Sequence, residues 1–98
     1  MTYTVNKYDV GDKVKITGTF KYEGVETDPS VVEAHYRLNS GDIVSLVYGV
    51  DAELVKVSTG VYYFTILTTG KGTYKYRMDD GEANVATEGT FEVRRTNF

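Results

Sequence analysis

Two neighbouring segments, each containing a glycine followed by alternating tyrosines, constrain the fold more than any other part of the chain. The first covers residues 58–66 and the second covers residues 70–77. Tyrosine and threonine suit a pleated, half-buried surface, whereas glycine interrupts a strand. Each segment therefore predicts a strand that begins after its glycine. The short Gly-Lys-Gly link between them predicts that the two strands lie at the centre of a β-sandwich.

Alternation of apolar and polar residues predicts further strands along the chain. From residue 13 to 21, one face carries apolar residues and glycine while the other carries lysine and threonine, as in a strand with one buried face. More strands are predicted at residues 43–48, 54–57 and 85–93. The inward positions of the last are Val85, Thr87, Gly89, Phe91 and Val93.

Residues 31–38 admit two interpretations. Asp28 followed by Pro29 is typical of a helix start, because proline is tolerated at the first helical position. The same residues also alternate, with Val32, Ala34, Tyr36 and Leu38 on one face and Glu33, His35 and Arg37 on the other. The period of two and the paired valines favour a strand. Residues 39–42 (Asn-Ser-Gly-Asp) then predict a hairpin turn.

The chain has 98 residues, which predicts a single domain over residues 1–98. It contains ten glycines, one proline and 13% aromatic residues, and it lacks long helical periodicity. Residues 23–30 are interpreted as a loop. Seven to eight short strands at regular spacing predict an all-β, antiparallel sandwich.

Composition excludes several classes of function. The formal net charge is −3, which argues against nucleic acid as a partner because phosphate binding needs a basic face. There is no apolar run of the length that a membrane helix needs, and the first residues form no apolar signal segment. The absence of cysteine excludes disulfides and thiolate chemistry, and it predicts synthesis in a reducing cytoplasm.

No set of residues predicts catalysis, a metal site or a cofactor. His35 is the single histidine, and the sequence supplies no evident partners for a catalytic triad or a zinc site. Residues 79–82 (Asp-Asp-Gly-Glu) could hold Ca²⁺ through clustered carboxylates. Their spacing does not follow an EF-hand loop, and Asp-Gly is a hairpin signal, so a turn is favoured. We expect a protein that is not an enzyme.

The segment Gly72-Thr73-Tyr74-Lys75-Tyr76 resembles the start of strand F in immunoglobulin-like domains. In that family a tyrosine near the corner bonds back to the backbone, and a cysteine often follows two residues later. The resemblance implies that Tyr74 is the corner residue and that Tyr76 stands at the cysteine position. The chain has no tryptophan for the core position on strand C, so an antibody-type domain is not expected.

Nearly the whole chain resembles the small immunoglobulin-like proteins of tailed bacteriophages, which are encoded among head and neck genes. The likeness rests on turns, core tyrosines and the strand-F arginine. Members often carry tryptophan after the Tyr-Arg pair, where this chain has Met78. The segments concerned are 8–16 (YDVGDKVKI), 27–29 (TDP), 47–49 (VYG), 58–62 (STGVY), 72–77 (GTYKYR) and 88–93 (EGTFEV).

The resemblance implies a virion structural protein that is made in the host bacterial cytoplasm. Its partners would be the major capsid protein or neck and connector subunits, with homo-oligomers on the virion as a further possibility. Capsid decoration is preferred to a role in the head–tail joint. Composition does not by itself indicate this function.

Six residues form the candidate partner interface. Arginine is enriched at protein interfaces, and a C-terminal aromatic residue could anchor in a groove of a partner. The alternative is that these residues bind no partner and form a solvated ladder of charge pairs across the strands. The six residues are Arg37, Lys75, Arg77, Arg94, Arg95 and Phe98.

The tyrosines also raise an alternative function, a surface adhesion or carbohydrate-binding module. Sugars stack on exposed aromatic rings, but most of these tyrosines occupy core positions in the predicted strands. Tyr3, Tyr22 and Tyr63 are the ones expected near the surface. Exposed tyrosines in a shallow groove would favour this alternative, and buried tyrosines would count against it.

Overall fold

The computed structural model describes residues 7–82 and 84–94, which form ten strands arranged mainly in two facing sheets. Within these residues there is no helix, and so none long and apolar enough to cross a membrane. The strands are β1 (Lys7–Asp9), β2 (Lys13–Thr19), β3 (Lys21–Tyr22), β4 (Val25–Glu26), β5 (Glu33–Leu38), β6 (Val44–Val47), β7 (Leu54–Ser58), β8 (Val61–Leu67), β9 (Gly72–Asp79) and β10 (Val85–Arg94).

The sheets have five and three strands. The five-stranded sheet has the order β1-β10-β9-β5-β6, and the three-stranded sheet has the order β2-β8-β7. β1 pairs with β10 in parallel, and the other pairs are antiparallel. The two glycine-led segments become β8 and β9, which lie at or near the centres of opposite sheets. The all-β, sandwich-like architecture is therefore confirmed.

The core lies between the two sheets and follows the predicted alternation. Gly18 of β2 faces the opposite sheet so closely that an added Cβ atom would lie 3.0 Å from both the Met78 sulfur and the Ala86 Cβ. A larger residue at position 18 would push the sheets apart. The buried apolar residues are Val14, Ile16, Phe20, Val32, Ala34, Leu46, Leu54, Tyr62, Phe64, Ile66, Tyr74, Met78, Phe91 and Val93.

In the structure, most of residues 31–38 form a strand and not a helix. β5 runs from Glu33 to Leu38 and pairs with both β6 and β9. The antiparallel β5–β6 pair also confirms the hairpin predicted at residues 39–42. Asn39 has a positive φ of 54° there, and its amide oxygen accepts a hydrogen bond from the Thr73 N–H at 3.0 Å. This contact ties the hairpin turn to the start of β9.

The described residues form more strands than the seven to eight that the sequence predicts, partly because residues 23–30, predicted as a loop, contain the short strand β4. Glu23 and Gly24 have φ values of 54° and 82°. Positive φ at both central residues is the conformation of a type I′ turn, which matches the twist of a tight hairpin. The turn closes the two-residue strands β3 and β4, which pair only with each other among the described residues.

The inward positions predicted for the last strand were wrong at its beginning. The register between β9 and β10 shifts between Val85 and Thr87. Val85 pairs with Asp79 and Thr87 pairs with Met78, so β10 advances by two residues where β9 advances by one. A bulge of this kind reverses which side chains face the core. As a result Val85 is exposed, while Ala86 packs against the core.

Two polar side chains hold the β8–β9 end of the sandwich. Thr68 is 1% exposed, and its hydroxyl accepts a hydrogen bond from the Gly11 N–H and lies 2.8 Å from the Asp12 carbonyl, to which it donates. The Tyr74 hydroxyl accepts a hydrogen bond from the Thr69 N–H at 3.0 Å. The predicted bond from Tyr74 back to the backbone is therefore present.

Asp28 fastens the loop before β5 to the β7–β8 hairpin. One carboxylate oxygen lies 2.7 Å from the Lys56 ammonium, and the other accepts hydrogen bonds from the Gly60 N–H at 2.7 Å and the Tyr62 hydroxyl at 3.0 Å. The Lys56 ammonium, followed by the Gly60 N–H, lowers the pKa of Asp28 to about 2. Burial and the bond to Asp28 raise the pKa of Tyr62 to about 12.

This lowered pKa predicts a dependence of stability on pH. The Asp28 pKa is about 2 in the folded chain against an ordinary 3.8, so the carboxylate stabilises the fold above pH 3.8. That contribution is lost as the pH falls from 3.8 towards 2. The free energy of unfolding, measured with denaturant at a series of pH values, is expected to fall for the wild type in this window until it approaches the value for Asp28→Asn. Asp42→Asn, which removes an exposed turn carboxylate, is the control and should keep a parallel curve.

Candidate functional site

The outer face of the five-stranded sheet carries most of the predicted interface residues. Arg37 of β5 pairs in register with Lys75 of β9, and His35 pairs with Arg77. Their neighbours on the same strands, such as Tyr74 and Met78, point into the core. The prediction from alternation that Arg37, Lys75 and Arg77 share the outer face is therefore confirmed.

Arg37 and Lys75 form a like-charged pair at the centre of this face. Cross-strand neighbours have Cβ atoms about 5 Å apart, so two positive charges directly opposite each other destabilise a sheet. Ile43 lies beside them with 61% of its surface exposed. These residues share a shallow, open depression of about 290 Å³, lined by His35, Tyr36, Arg37, Ile43, Lys75, Tyr76, Arg77 and Glu88. We call this depression the cationic face.

Arg77 differs from the other two because its guanidinium is already engaged. Its Nε donates a hydrogen bond to Oδ2 of Asp79 at 2.9 Å. Asp79 is only 5% exposed, and its second oxygen accepts a hydrogen bond from the Gly81 N–H at 2.9 Å. Of the three cations predicted on this face, Arg37 and Lys75 are therefore the better placed to meet a partner.

His35 lies between two carboxylates at the other end of the face. Its Nε2 is 3.4 Å from Oε1 of Glu33 and 3.6 Å from Oδ2 of Asp79, and its Nδ1 is 2.9 Å from the Ser45 hydroxyl. We call Glu33, His35 and Asp79 the His35 cluster. The sequence interpretation that His35 lacks partners missed these two acids. Asp79 approaches through the β5–β9 register, and Ser45 through the β5–β6 register.

The remaining interface candidates lie at or beyond the end of β10. Arg94 is exposed on the outer face, and its Nε is 3.3 Å from Oδ1 of Asp9 in β1. It is four residues further along β10 than Thr90, the residue opposite Lys75. Arg94 is thus separate from the cationic face. Arg95 and Phe98 lie outside the described residues.

The sequence predicts a turn at residues 79–82. In the structure Asp79 is still the last residue of β9, and Asp80, Gly81 and Glu82 follow it outside any strand. Asp80 accepts hydrogen bonds from the Asn84 side-chain amide and the Tyr22 hydroxyl, each at 2.9 Å, and from the Glu82 N–H at 2.9 Å. The Asn84 amide is the main cause that lowers the pKa of Asp80. The carboxylate is occupied in shaping the turn.

The tyrosines expected at the surface are only partly available. Tyr22 is half-buried and bonded to Asp80, and Tyr63 is half-buried with the Lys15 ammonium 4.3 Å from the centre of its ring. Tyr3 lies outside the described residues. Tyr48, which the sequence interpretation assigned to a strand, follows β6 and is 43% exposed. Its position beyond the strand end explains why alternation did not single it out.

Comparison with known proteins gives information on the fold. No protein-family model and no curated protein sequence matches the chain. A solved structure from Bacteroides vulgatus ATCC 8482, assigned provisionally as a glycoside hydrolase, matches 93% of this chain with a TM-score of 0.61 and 13% identity. The chain corresponds to 16% of that protein's length. At this identity, the likeness shows a shared fold alone.

Proposed function

We propose that the chain is an immunoglobulin-like β-sandwich. In that family one sheet has the order A-B-E-D, and the other contains G-F-C, with C′ added in variable-type domains. The order β2-β8-β7 corresponds to B-E-D, and β10-β9-β5-β6 corresponds to G-F-C-C′. The hydrogen bond between Tyr74 and Thr69 is of the kind made at a tyrosine corner. Both features support the assignment.

The protein acts in this proposal by docking on other virion proteins and not by catalysis. The like-charged pair of Arg37 and Lys75 is the observation that carries it. Two cations opposite each other cost stability in the free sheet, and an acidic partner would remove that cost on binding. The exposed Ile43 adds apolar area beside the charges, so the cationic face combines charge with a surface that association can bury.

The resemblance to phage head and neck proteins supplies the partner class. The cationic face would meet an acidic surface of the major capsid protein or of a neck subunit. Copies that touch each other on a symmetric particle would gain effective concentration from the array, so a modest affinity of each copy suffices. Decoration of the capsid uses this advantage most fully, and we prefer it to a head–tail joint.

The test uses particles of the phage whose genome encodes this chain, prepared without it. Purified wild-type protein is expected to bind these particles saturably, and raised salt should weaken the binding. The double variant Arg37→Glu, Lys75→Glu should bind at least about tenfold more weakly, because like charges facing each other across an interface cost several kcal/mol. Co-sedimentation at a series of protein concentrations measures both affinities.

The matched control is Lys21→Glu with Lys71→Glu, which changes two exposed lysines elsewhere and gives the same net charge. If the control loses as much affinity as the Arg37 and Lys75 variant, net charge and not this face drives binding. Electron microscopy of particles with bound protein distinguishes capsid decoration from binding at the neck. Density at symmetric capsid positions supports decoration, density at one vertex supports the neck, and no binding contradicts the virion role.

Carbohydrate binding is a second candidate function. The Bacteroides structure contains this fold within a larger protein described as a provisional glycoside hydrolase, and Tyr48 offers a partly exposed ring. Affinity electrophoresis against soluble polysaccharides would test this candidate. Retardation that is lost in Tyr48→Ala, together with failure to bind particles, would favour it over the virion role.

A further inference from the structure

We infer that the His35 cluster binds a divalent transition-metal ion of the Zn²⁺ type, with His35 Nε2, Glu33 Oε1 and Asp79 Oδ2 as the ligands. These three side chains offer ligand atoms that all lie within 4.8 Å of one another. One imidazole and two carboxylates form a donor set that suits zinc and its neighbours in the transition series. Mg²⁺ and Ca²⁺ prefer oxygen ligands and are not expected to use a ring nitrogen.

The distances agree better with a bound ion than with direct hydrogen bonds. Charge-assisted hydrogen bonds between nitrogen and oxygen are about 2.7–2.9 Å long. The separations from His35 Nε2 to the Glu33 and Asp79 oxygens are 3.4 and 3.6 Å. Two ligands of a tetrahedral zinc ion, each about 2.0–2.2 Å from the metal, lie about 3.4 Å apart. The two separations from His35 Nε2 match the edges of such a tetrahedron, and the Glu33 and Asp79 oxygens lie within 4.8 Å of each other.

The second nitrogen of His35 has the partner that a metal-binding histidine needs. Such a histidine usually donates its other ring N–H to an oxygen, and this contact fixes which nitrogen carries the lone pair. The Ser45 hydroxyl lies 2.9 Å from Nδ1. When Nδ1–H donates to Ser45, the Nε2 lone pair faces two carboxylate oxygens. Three acceptor atoms that face one another repel, and a cation bound between them would remove this repulsion.

The charges of the site also leave room for a cation. Glu33 and Asp79 are directly opposite each other in the β5–β9 register, and like charges in that position destabilise a sheet. Arg77 compensates one of the two negative charges through its bond to Oδ2 of Asp79. The other negative charge remains to attract a cation, and a divalent ion would more than compensate it, using a second lone pair of the same oxygen.

The surroundings fix one ligand and leave the site open to solvent. Asp79 is buried and held by Arg77 and the Gly81 N–H, so its carboxylate is preorganised. The side chains of Glu33 and His35 keep 32% and 28% of their surface exposed. An ion can therefore enter from the outer face of the sheet. A fourth coordination position remains for water or for a group of a docking partner.

The test exploits the fact that His35 is the single histidine of the chain. Untagged, isotope-labelled protein is titrated with ZnCl₂ and, in separate samples, with MgCl₂ or CaCl₂. Zn²⁺ is expected to saturate at one ion per chain and to shift the ¹⁵N resonance of His35 Nε2, leaving Nδ1 protonated. Calorimetry should give one site, and the melting temperature should rise with zinc concentration.

Three variants and a control separate the proposed site from weak surface binding. Glu33→Gln should weaken zinc binding at least about tenfold, His35→Asn should abolish it, and Ser45→Ala should weaken it by about tenfold. The control Glu88→Gln removes an acid of the same face, opposite Arg77 but outside the cluster, and should bind as the wild type does.

Several outcomes would overturn the inference. They are an unshifted Nε2 resonance at saturating zinc, equal loss of affinity in Glu33→Gln and Glu88→Gln, and a response to Mg²⁺ as strong as that to Zn²⁺. If His35→Asn fails to fold, the wild-type resonance together with Glu33→Gln still decides the matter. The measurement uses isolated protein, so its result is independent of whether the chain binds particles.

Discussion

Replacing Phe64 with alanine is expected to lower the free energy of unfolding by about 3–5 kcal/mol, the range measured for large-to-small changes of buried aromatic residues. Phe64 is fully buried in the middle of β8, the central strand of its sheet. Its ring stacks on Tyr36 of the opposite sheet, with ring centres 6.3 Å apart and planes 15° apart. The substitution thus removes a contact between the sheets and leaves a cavity where neither sheet can easily close.

Chemical denaturation monitored by tyrosine fluorescence measures this loss. Domains of this size are stable by about 5–15 kcal/mol, so Phe64→Ala could leave little folded protein. Phe64→Leu keeps part of the packing and should show a smaller loss that remains measurable. Leu67→Ala, at a 53% exposed position of the same strand, is the control and should change stability by no more than about 0.5 kcal/mol. Equal losses at positions 64 and 67 would contradict the core assigned here.

The sequence predicted the faces of the strands well because alternation is a local property. Val14, Ile16 and Phe20 are buried as expected, and Arg37 and Lys75 lie on the outer face as expected. A residue's parity within its own strand is enough to make such assignments. The same argument favoured a strand at residues 31–38 over a helix, and the structure agrees.

Pairing between strands is a long-range property, and there the sequence was less informative. The bulge at Val85 and Thr87 changed which residues of β10 face the core, and nothing in the local pattern marks it. The approach of Asp79 to His35, which are 44 positions apart in the chain, depends on the β5–β9 register. A metal-ligand set assembled in this way has no compact motif for sequence reasoning to find.

The candidate interface shows the same division. The sequence identified Arg37, Lys75 and Arg77 as outward cations, but it could not show that the Arg77 guanidinium is bonded to Asp79. The structure therefore divides one predicted set of cations into two parts. All three line the cationic face, but Arg77 alone of them is bonded to Asp79 of the His35 cluster.

Gly60→Ala is expected to lower the free energy of unfolding by about 3 kcal/mol or more. Gly60 has a φ of +78°, where a residue with a Cβ atom is disfavoured by about 1–2 kcal/mol. An added Cβ would also lie 2.8 Å from the Phe20 carbonyl oxygen and 2.9 Å from the Thr27 nitrogen. These atoms belong to the backbone and cannot swing away as a flexible side chain can.

The shift needed to relieve this clash would weaken several hydrogen bonds at once. The Gly60 carbonyl accepts from the Phe20 N–H at 2.7 Å, and the Gly60 N–H donates to Asp28 at 2.7 Å. Each such bond contributes about 1 kcal/mol. The turn before β8 therefore requires a residue without a Cβ atom at position 60. The loop containing Asp28 is in turn held by its hydrogen bond to this residue.

Gly24→Ala is the matched control for this prediction. Gly24 has a nearly equal φ of +82°, but an added Cβ there would meet no atom within 4 Å. It should thus show the cost of the backbone conformation alone, about 1–2 kcal/mol. Denaturant unfolding of the two variants under identical conditions isolates the steric part as their difference. If both variants lose the same stability, the close backbone approach around Gly60 does not constrain the fold, and this account of the turn is wrong.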